Sequence, residues 1–271
     1  MLWLYITLGV AALLVGLLWF ALSPAKRKHP DRLILSGAYI AHRGLHDLIP
    51  GTPENSAAAF SEAVKRGLPI ETDIHLSADG RVFVFHDNDL KRMCGEDKNA
   101  EELTLEELKE YRLAGTDERI MSLEELLELV GGKVPLLIEF KSESVKGCDK
   151  LCDAANAILK DYEGKYFVQS FNPFILKWYR KNRKDVCRGQ LSCRMKGSLS
   201  YFLLGRLLLN FISRPDFVSY KAEDEKSVFR RLTAVLGAHQ IGWTVQSEEQ
   251  LCTAKKHFKT YIFEGFLPED V

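Results

Sequence analysis

Short β-rich runs recur along this chain with helix-like stretches between most of them, and no other feature of the sequence constrains the fold as strongly. The strand-like runs cover residues 39–43, 69–76, 82–86, 135–141, 166–171, 188–192, 216–220, 241–245 and 261–264. Residues 56–66, 105–112, 123–130 and 148–162 carry apolar side chains at three- and four-residue spacing, the period of one helix face. Alternation of this kind predicts parallel β/α units, and nine candidate strands lie close to the eight of a closed (β/α)8 TIM barrel. The surplus strand has an arithmetic explanation. Only residues 77–81 separate the second run from the third, whereas a parallel crossover needs about a dozen residues. Those two runs must form a hairpin, and Asp79-Gly80 is a dipeptide that two-residue hairpin turns favour. A turn centred there pairs residues whose numbers sum to about 159, which sets Asp73 opposite His86.

Ahead of these units, residues 2–23 form an uncharged run that as a helix rises about 33 Å, roughly the hydrocarbon thickness of a bilayer. Its start is bare of basic residues, its core is long, and Pro24 follows the one small-residue site, so the run reads as a transmembrane anchor and not as a cleaved signal. Lys26, Arg27 and Lys28 follow it, and the positive-inside tendency places everything downstream in the cytoplasm. The expected organisation is a single-pass cell-membrane anchor over 1–23, a polar linker over 24–36 and one catalytic domain over 37–271. Lysine plus arginine (37) equals aspartate plus glutamate (37), so no global basic field exists to attract nucleic acid. The six cysteines lack the paired spacing of a zinc site and read as free thiols, which fits a reducing compartment. Residues 199–212 (LSYFLLGRLLLNFI) are nearly all apolar, with Arg206 the single charge. Too short to span, they form either a buried barrel helix or a segment lying on the membrane near the site.

Glu71, Asp73 and His75 alternate along one run, so their side chains emerge on one face. That face is either the wet side of an edge strand or a barrel interior. In the interior, unpaired carboxylates would cost several kcal/mol unless a cation compensates, and Mg²⁺ or Ca²⁺, which prefer oxygen ligands, are the simplest compensation. Glu139 offers a third carboxylate. His42 ends the first run and His86 the third, and imidazole is the side chain best matched to proton transfer near neutral pH. Arg43 and Lys141 add fixed positive charge suited to phosphate oxygens. Together these types point to a phosphate ester. Trp243 is either an inward aromatic at the edge of this site or a plain core tryptophan.

The order of motifs resembles the glycerophosphodiester phosphodiesterases: AHRG (41–44), PENS (53–56), ETDIHLSADG (71–80), FHD (85–87), EFK (139–141), QSF (169–171), PDF (215–217) and WTV (243–245). The resemblance implies a divalent-metal β/α barrel hydrolase that cleaves glycerophosphodiesters to glycerol 3-phosphate and an alcohol. In it His42 and His86 are acid and base, and Glu71, Asp73 and Glu139 are metal ligands. Arg43 and Lys141 then contact phosphate, Glu54 and Asn55 shape the site from a loop, and residues of about 88–132 are an insertion beside the barrel mouth. His75 has a supporting role. Gln246 stands where the family usually has Asn, and Phe263-Glu264 where it has Thr-Asp; these departures leave the metal and proton-transfer groups intact, and the family's substrate preference at the rim is not carried over. Two other readings stay open: a lysophospholipase D on the same barrel, suggested by the anchor and the apolar 199–212 stretch, and a catalytically silent barrel that binds a lipid headgroup or membrane partner.

Overall fold

The computed structural model describes residues 1–27, 29–142 and 144–269; Lys28 of the basic cluster and the last two residues of the expected catalytic domain lie outside them. Ten strands form one sheet: β1 (Tyr39–Ala41), β2 (Ile70–Leu76), β3 (Val82–Val84), β4 (Met121–Ser122), β5 (Leu136–Phe140), β6 (Tyr166–Ser170), β7 (Arg188–Ser192), β8 (Phe217–Lys221), β9 (His239–Val245) and β10 (Thr260–Phe263). β1, β2 and β5 to β10 are parallel, and pairing of β1 with both β2 and β10 closes them into the expected eight-stranded barrel. β2 pairs with β1 at Ile70 alone, and its far end carries β3, which in turn pairs with β4. The helices are α1 (Leu2–Leu22), α2 (Ala57–Lys65), α3 (Lys91–Cys94), α4 (Leu105–Leu108), α5 (Leu123–Val130), α6 (Cys148–Leu159), α7 (Pro173–Asn182), α8 (Leu199–Gly205), α9 (Asn210–Ser213), α10 (Val228–Val235) and α11 (Glu248–Ala254).

Alternation along the strands sorts side chains into two sets. Outward residues such as Ile70, Leu136, Ile138, Val168 and Val218 join the main core beneath the helices. Inward residues Ile40, Leu137, Phe167, Phe217, Ile241 and Ile262 fill the N-terminal half of the barrel. Phe217 uses space that only a glycine leaves, because a Cβ on Gly189 would stand 1.9 Å from its ring. One layer higher the inward positions become polar, and Asp73 sits opposite Glu139 and Glu139 opposite Gln169.

The structure departs from the expected hairpin register, from a free linker and from the full 105–112 helix. The hairpin pairs Ile74 with Val84 and Leu76 with Val82, a sum of 158, so Asp73 faces Phe85 and His86 lies one residue beyond. The reason is the turn: Ser77 O accepts from Gly80 N while Ser77 N donates to Arg81 O, a three-residue loop with Gly80 at φ +77° in place of the two-residue turn. The 24–36 segment is not a free linker. Its described residues pack across the N-terminal end of the barrel, with Pro24 and His29 buried and Leu35 plugging the interior. Across the expected insertion of about 88–132, a separate small core gathers residues from Phe83 to Ile120 while α5 packs into the main core. Within it, only Leu105–Leu108 of the expected 105–112 helix is α-helical, started by a Thr104/Glu107 capping box. The apolar 199–212 stretch, for which a buried helix and a membrane-lying segment were both open, forms the short helix α8 and most of α9, with Gly205, Leu207 and Asn210 buried but Leu199, Tyr201, Phe202 and Phe211 exposed. All six cysteines are free.

Candidate active site

β1 ends on His42, Arg43 and Gly44. Arg43 takes a left-handed φ of +53°, and a Cβ on Gly44 would meet the Ala59 backbone at 2.9 Å, so the chain turns tightly against α2. This turn aims the Arg43 N–H at Glu71 Oε2 (3.4 Å) and its guanidinium at Glu54 (2.7 Å) and Asp73 (3.4 Å). Glu54 also accepts from Arg92 of α3 (2.7 Å), which ties the inserted segment to the mouth of the barrel. Asn55, buried beneath, donates to Asp73 Oδ2 (3.1 Å) and accepts from Thr72 Oγ1 (2.9 Å).

Glu71, Asp73 and Glu139 rise from β2 and β5 on the inward face and are 1–6 % exposed. Each offers a carboxylate oxygen, and the three lie within 4.8 Å of one another, about twice a Mg²⁺–O or Ca²⁺–O distance. Lys141 Nζ bridges Asp73 (3.0 Å) and Glu139 (2.8 Å), and Gln169 donates to Glu71 (3.2 Å) while accepting from Ser219 (2.7 Å). Three carboxylates face two cations, so one negative charge lacks a partner within the cluster. Burial, then repulsion by Asp73 and Glu139, pushes the Glu71 carboxyl well above the usual range, and burial raises Glu139 as well. Asp73 goes the other way: burial works against its charge, but Lys141 and Arg43 outweigh it and hold the group below the ordinary range. A buried, oxygen-only, net-negative set is what a divalent cation would neutralise, so the residues fit such an ion.

Two imidazoles flank the cluster. His42 Nε2 lies 3.9 Å from Glu71, and His42 Nδ1 is hydrogen-bonded to Glu264. His86 Nδ1 bonds Asp87 (2.6 Å), which is held by Arg92 (2.7 Å). Burial lowers the pKa of both histidines, favouring neutral rings. His75 ring nitrogens lie 2.9 Å from Glu101 and 3.3 Å from the His86 carbonyl, and the ring stacks on Phe83, a position that braces His86. His42, Arg43, Glu54, Glu71, His86, Glu139, Lys141 and Trp243 line one cavity of about 530 Å³. Asp73 and Asn55 lie behind its wall. The Trp243 indole meets Phe171 edge-on at 5.9 Å, and its Nε1 has no hydrogen-bond partner among the described residues.

Sequence reasoning gave no role to His46, Asp87, Arg92, Gln169 or Ser219. Gln169 and Ser219 are legible by parity, since each shares an inward face with a barrel phenylalanine, Phe167 on β6 and Phe217 on β8; His46, Asp87 and Arg92 lie on loops or on the insertion, where strand parity does not apply. Glu264 was noted only as a departure, yet it accepts from Gln246 (2.7 Å) and meets both His42 and His46.

The architecture is thus that of a β/α barrel with a buried carboxylate cluster at the C-terminal ends of its strands. The profile of the glycerophosphoryl diester phosphodiesterase family matches residues 42–256, and the chain belongs to that family. The glycerophosphodiester phosphodiesterase of Caldanaerobacter subterraneus is 35% identical over 156 residues, which cover 52% of this chain and 61% of that protein. Human lysophospholipase D GDPD1 is 36% identical over 145 residues, covering 48% of this chain and 45% of that protein. The matched part therefore spans less than two thirds of these relatives' length. A phosphodiesterase of Oleispira antarctica, solved with its product sn-glycerol-3-phosphate, superposes with a TM-score of 0.70 at 22% identity, covering 86% of this chain and 94% of that one.

Proposed function

We propose that this chain is a divalent-cation-dependent phosphodiesterase that hydrolyses glycerophosphodiesters to glycerol 3-phosphate and an alcohol. The observation that carries the reading is the convergence, in one cavity, of an acidic cluster, two carboxylate-held imidazoles and two fixed cations. Glu71, Asp73 and Glu139 would hold Mg²⁺ or Ca²⁺. When bound, such an ion lowers the pKa of an oxygen it touches and offsets charge growing on phosphate. Arg43 and Lys141 orient the phosphate. His42 and His86, each with Nδ1 engaged by a carboxylate, keep Nε2 for the reaction: one accepts the nucleophile's proton and the other protonates the leaving alcohol. Glu54 and Asn55 hold Arg43 and Asp73 in place, and Trp243 offers its free N–H and ring edge to the substrate.

Helix α1 is apolar enough to cross a membrane by length and composition, with none of its apolar window buried. We read it as a single-pass anchor, with the basic residues after it keeping the 37–271 catalytic domain, insertion included, on the cytoplasmic side.

A second reading is favoured by one observation. A groove of about 1030 Å³ shares His86, Glu139, Lys141 and Phe171 with the site and runs outward past Val145, Phe174, Tyr201 and Leu209. Its apolar wall suits an acyl chain, and so a lysophospholipid. The full chain in detergent, assayed for glycerol 3-phosphate release from glycerophosphocholine and glycerophosphoethanolamine with Mg²⁺, Ca²⁺ or chelator, tests the first reading. Chelator-sensitive release supports it. Absence of release from folded protein overturns it, and the same assay on lysophosphatidylcholine then separates a lysophospholipase D from a barrel that only binds headgroups or a membrane partner.

A further inference from the structure

The junction between α1 and the barrel is a packed joint. Leu22 is buried in the main core, and the Phe20 and Phe211 rings sit 5.6 Å apart. The helix ends with carbonyls that need donors, and α9 and the residues flanking it supply them: Arg214 Nη1 donates to Phe20 O (3.1 Å) and Ser23 O (2.9 Å), and Asn210 Nδ2 to Leu22 O (3.4 Å). The chain is then latched again, by Ala25 N to Pro215 O (2.9 Å) and by Arg27 to the buried Asp216 (2.9 Å). An apolar helix held this way cannot cross a bilayer without bringing α9 to the membrane surface, because Phe211 touches a residue of the span itself.

The surface that this joint presents is apolar and edged with arginine. Leu199 is 73 % exposed, Tyr201 51 % and Phe202 44 %. Arg206 lies 3.6 Å over the Phe202 ring, and Arg180 donates to the Phe211 and Ile212 carbonyls. Aromatic and aliphatic side chains beside arginines whose stems cover apolar surface are the composition of an interfacial segment.

We propose that α8 and α9 form a seating face, with Leu199, Tyr201, Phe202 and Phe211 inserted in the interfacial layer of the bilayer that α1 crosses. The outer end of the active-site groove, at Tyr201 and Leu209, then opens beside the lipid. This rests on α1 being a membrane span and is independent of which diester is cleaved.

The test uses the full chain at one copy per lipid nanodisc, in a Cys252→Ser background, since Cys252 is the one exposed cysteine among the described residues. An environment-sensitive fluorophore is attached at Leu199→Cys, or at Tyr201→Cys should the first variant misfold. The control is Lys65→Cys, on α2 across the barrel, whose side chain is 72 % exposed. Emission from 199 or 201 is expected to shift to shorter wavelength and to be lost to nitroxide-labelled lipid, with neither change at 65. Aqueous emission at 199 and 201 would overturn the proposal. So would a shift without lipid quenching, which means that protein, not lipid, covers the face. Neither readout requires turnover, so failure of the diesterase reading would be seen separately.

Discussion

Nδ1 of His42, at the end of the first barrel strand, is hydrogen-bonded to Oε2 of Glu264, at the end of the last, because β1 and β10 are neighbours in the closed sheet. The carboxylate fixes one ring nitrogen and so decides that Nε2 faces Glu71 and the cavity. Glu264→Gln should leave the fold intact and lower kcat about 10²-fold with little change in KM, since orientation and tautomer would be lost but binding kept. The hydrogen bond to Glu264 opposes the effect of burial on His42, so its removal lowers the His42 pKa further. The limb of the kcat/KM profile that His42 governs should therefore move to lower pH. An unmoved profile and unchanged kcat would remove Glu264 from the mechanism.

The carboxylate cluster makes a prediction with two signs. Without metal, Glu71 is buried against Asp73 and Glu139 and disfavours its charged form. Glu71→Gln should raise the melting temperature of chelator-treated protein, by relief of desolvation and repulsion worth about 1 kcal/mol. With metal the order reverses. Free cation at 100 times its Kd adds about 2.7 kcal/mol to the wild type, and the variant should gain less and lose turnover. Thermal melts with chelator and with Mg²⁺ or Ca²⁺ check both signs; equal metal stabilisation of wild type and variant would count against Glu71 as a ligand.

Gly189 makes room for the Phe217 ring in the barrel interior. Gly189→Ala is expected to destabilise by about 3 kcal/mol through overpacking. The double variant Gly189→Ala, Phe217→Leu should recover part of that loss, and urea titration of the three proteins measures the coupling. Additive losses would mean that the two side chains do not compete for space.

His239, at the start of β9, is held to a pKa of about 4 by burial, with Arg32 and Lys259 adding to the effect, and its Nε2 bonds Thr260 Oγ1 (2.8 Å). A depressed histidine is neutral in the fold, whereas the unfolded chain takes up a proton near pH 6.5. Its contribution is therefore full above that value and is lost as pH falls toward 4. After a discount for partial exposure the loss is about 2 kcal/mol. His239→Gln should flatten the stability profile between these pH values; a profile as steep as that of wild type would assign the acid limb to other groups.

Much of this protein follows from local pattern. Alternation of strand and helix pointed to eight barrel strands, and the period of two put Glu71 and Asp73 on one face, because parity sets which side chains of a strand share a face; the closed sheet makes that face the interior. His42 and His86 were expected at strand ends, and both border the cavity beside those carboxylates. The limits also have a physical cause. A hairpin's register depends on its loop length, and Ser77 bonding to Gly80 and Arg81 moved Asp73 from His86 to Phe85 by one residue. Ring closure put Glu264 against His42 across 222 residues, a contact no periodicity encodes. The segment after the apolar N-terminal helix looked like a polar linker because its charges were counted without their partners. Only the folded barrel supplies Asp216 for Arg27 and the Asp185 carbonyl for His29, and so turns a tether into a joint. Sequence alone thus determined which residues carry charge and which of them share one face of a strand. Tertiary structure decided which charges meet, because burial and pairing depend on distances set by the closed sheet.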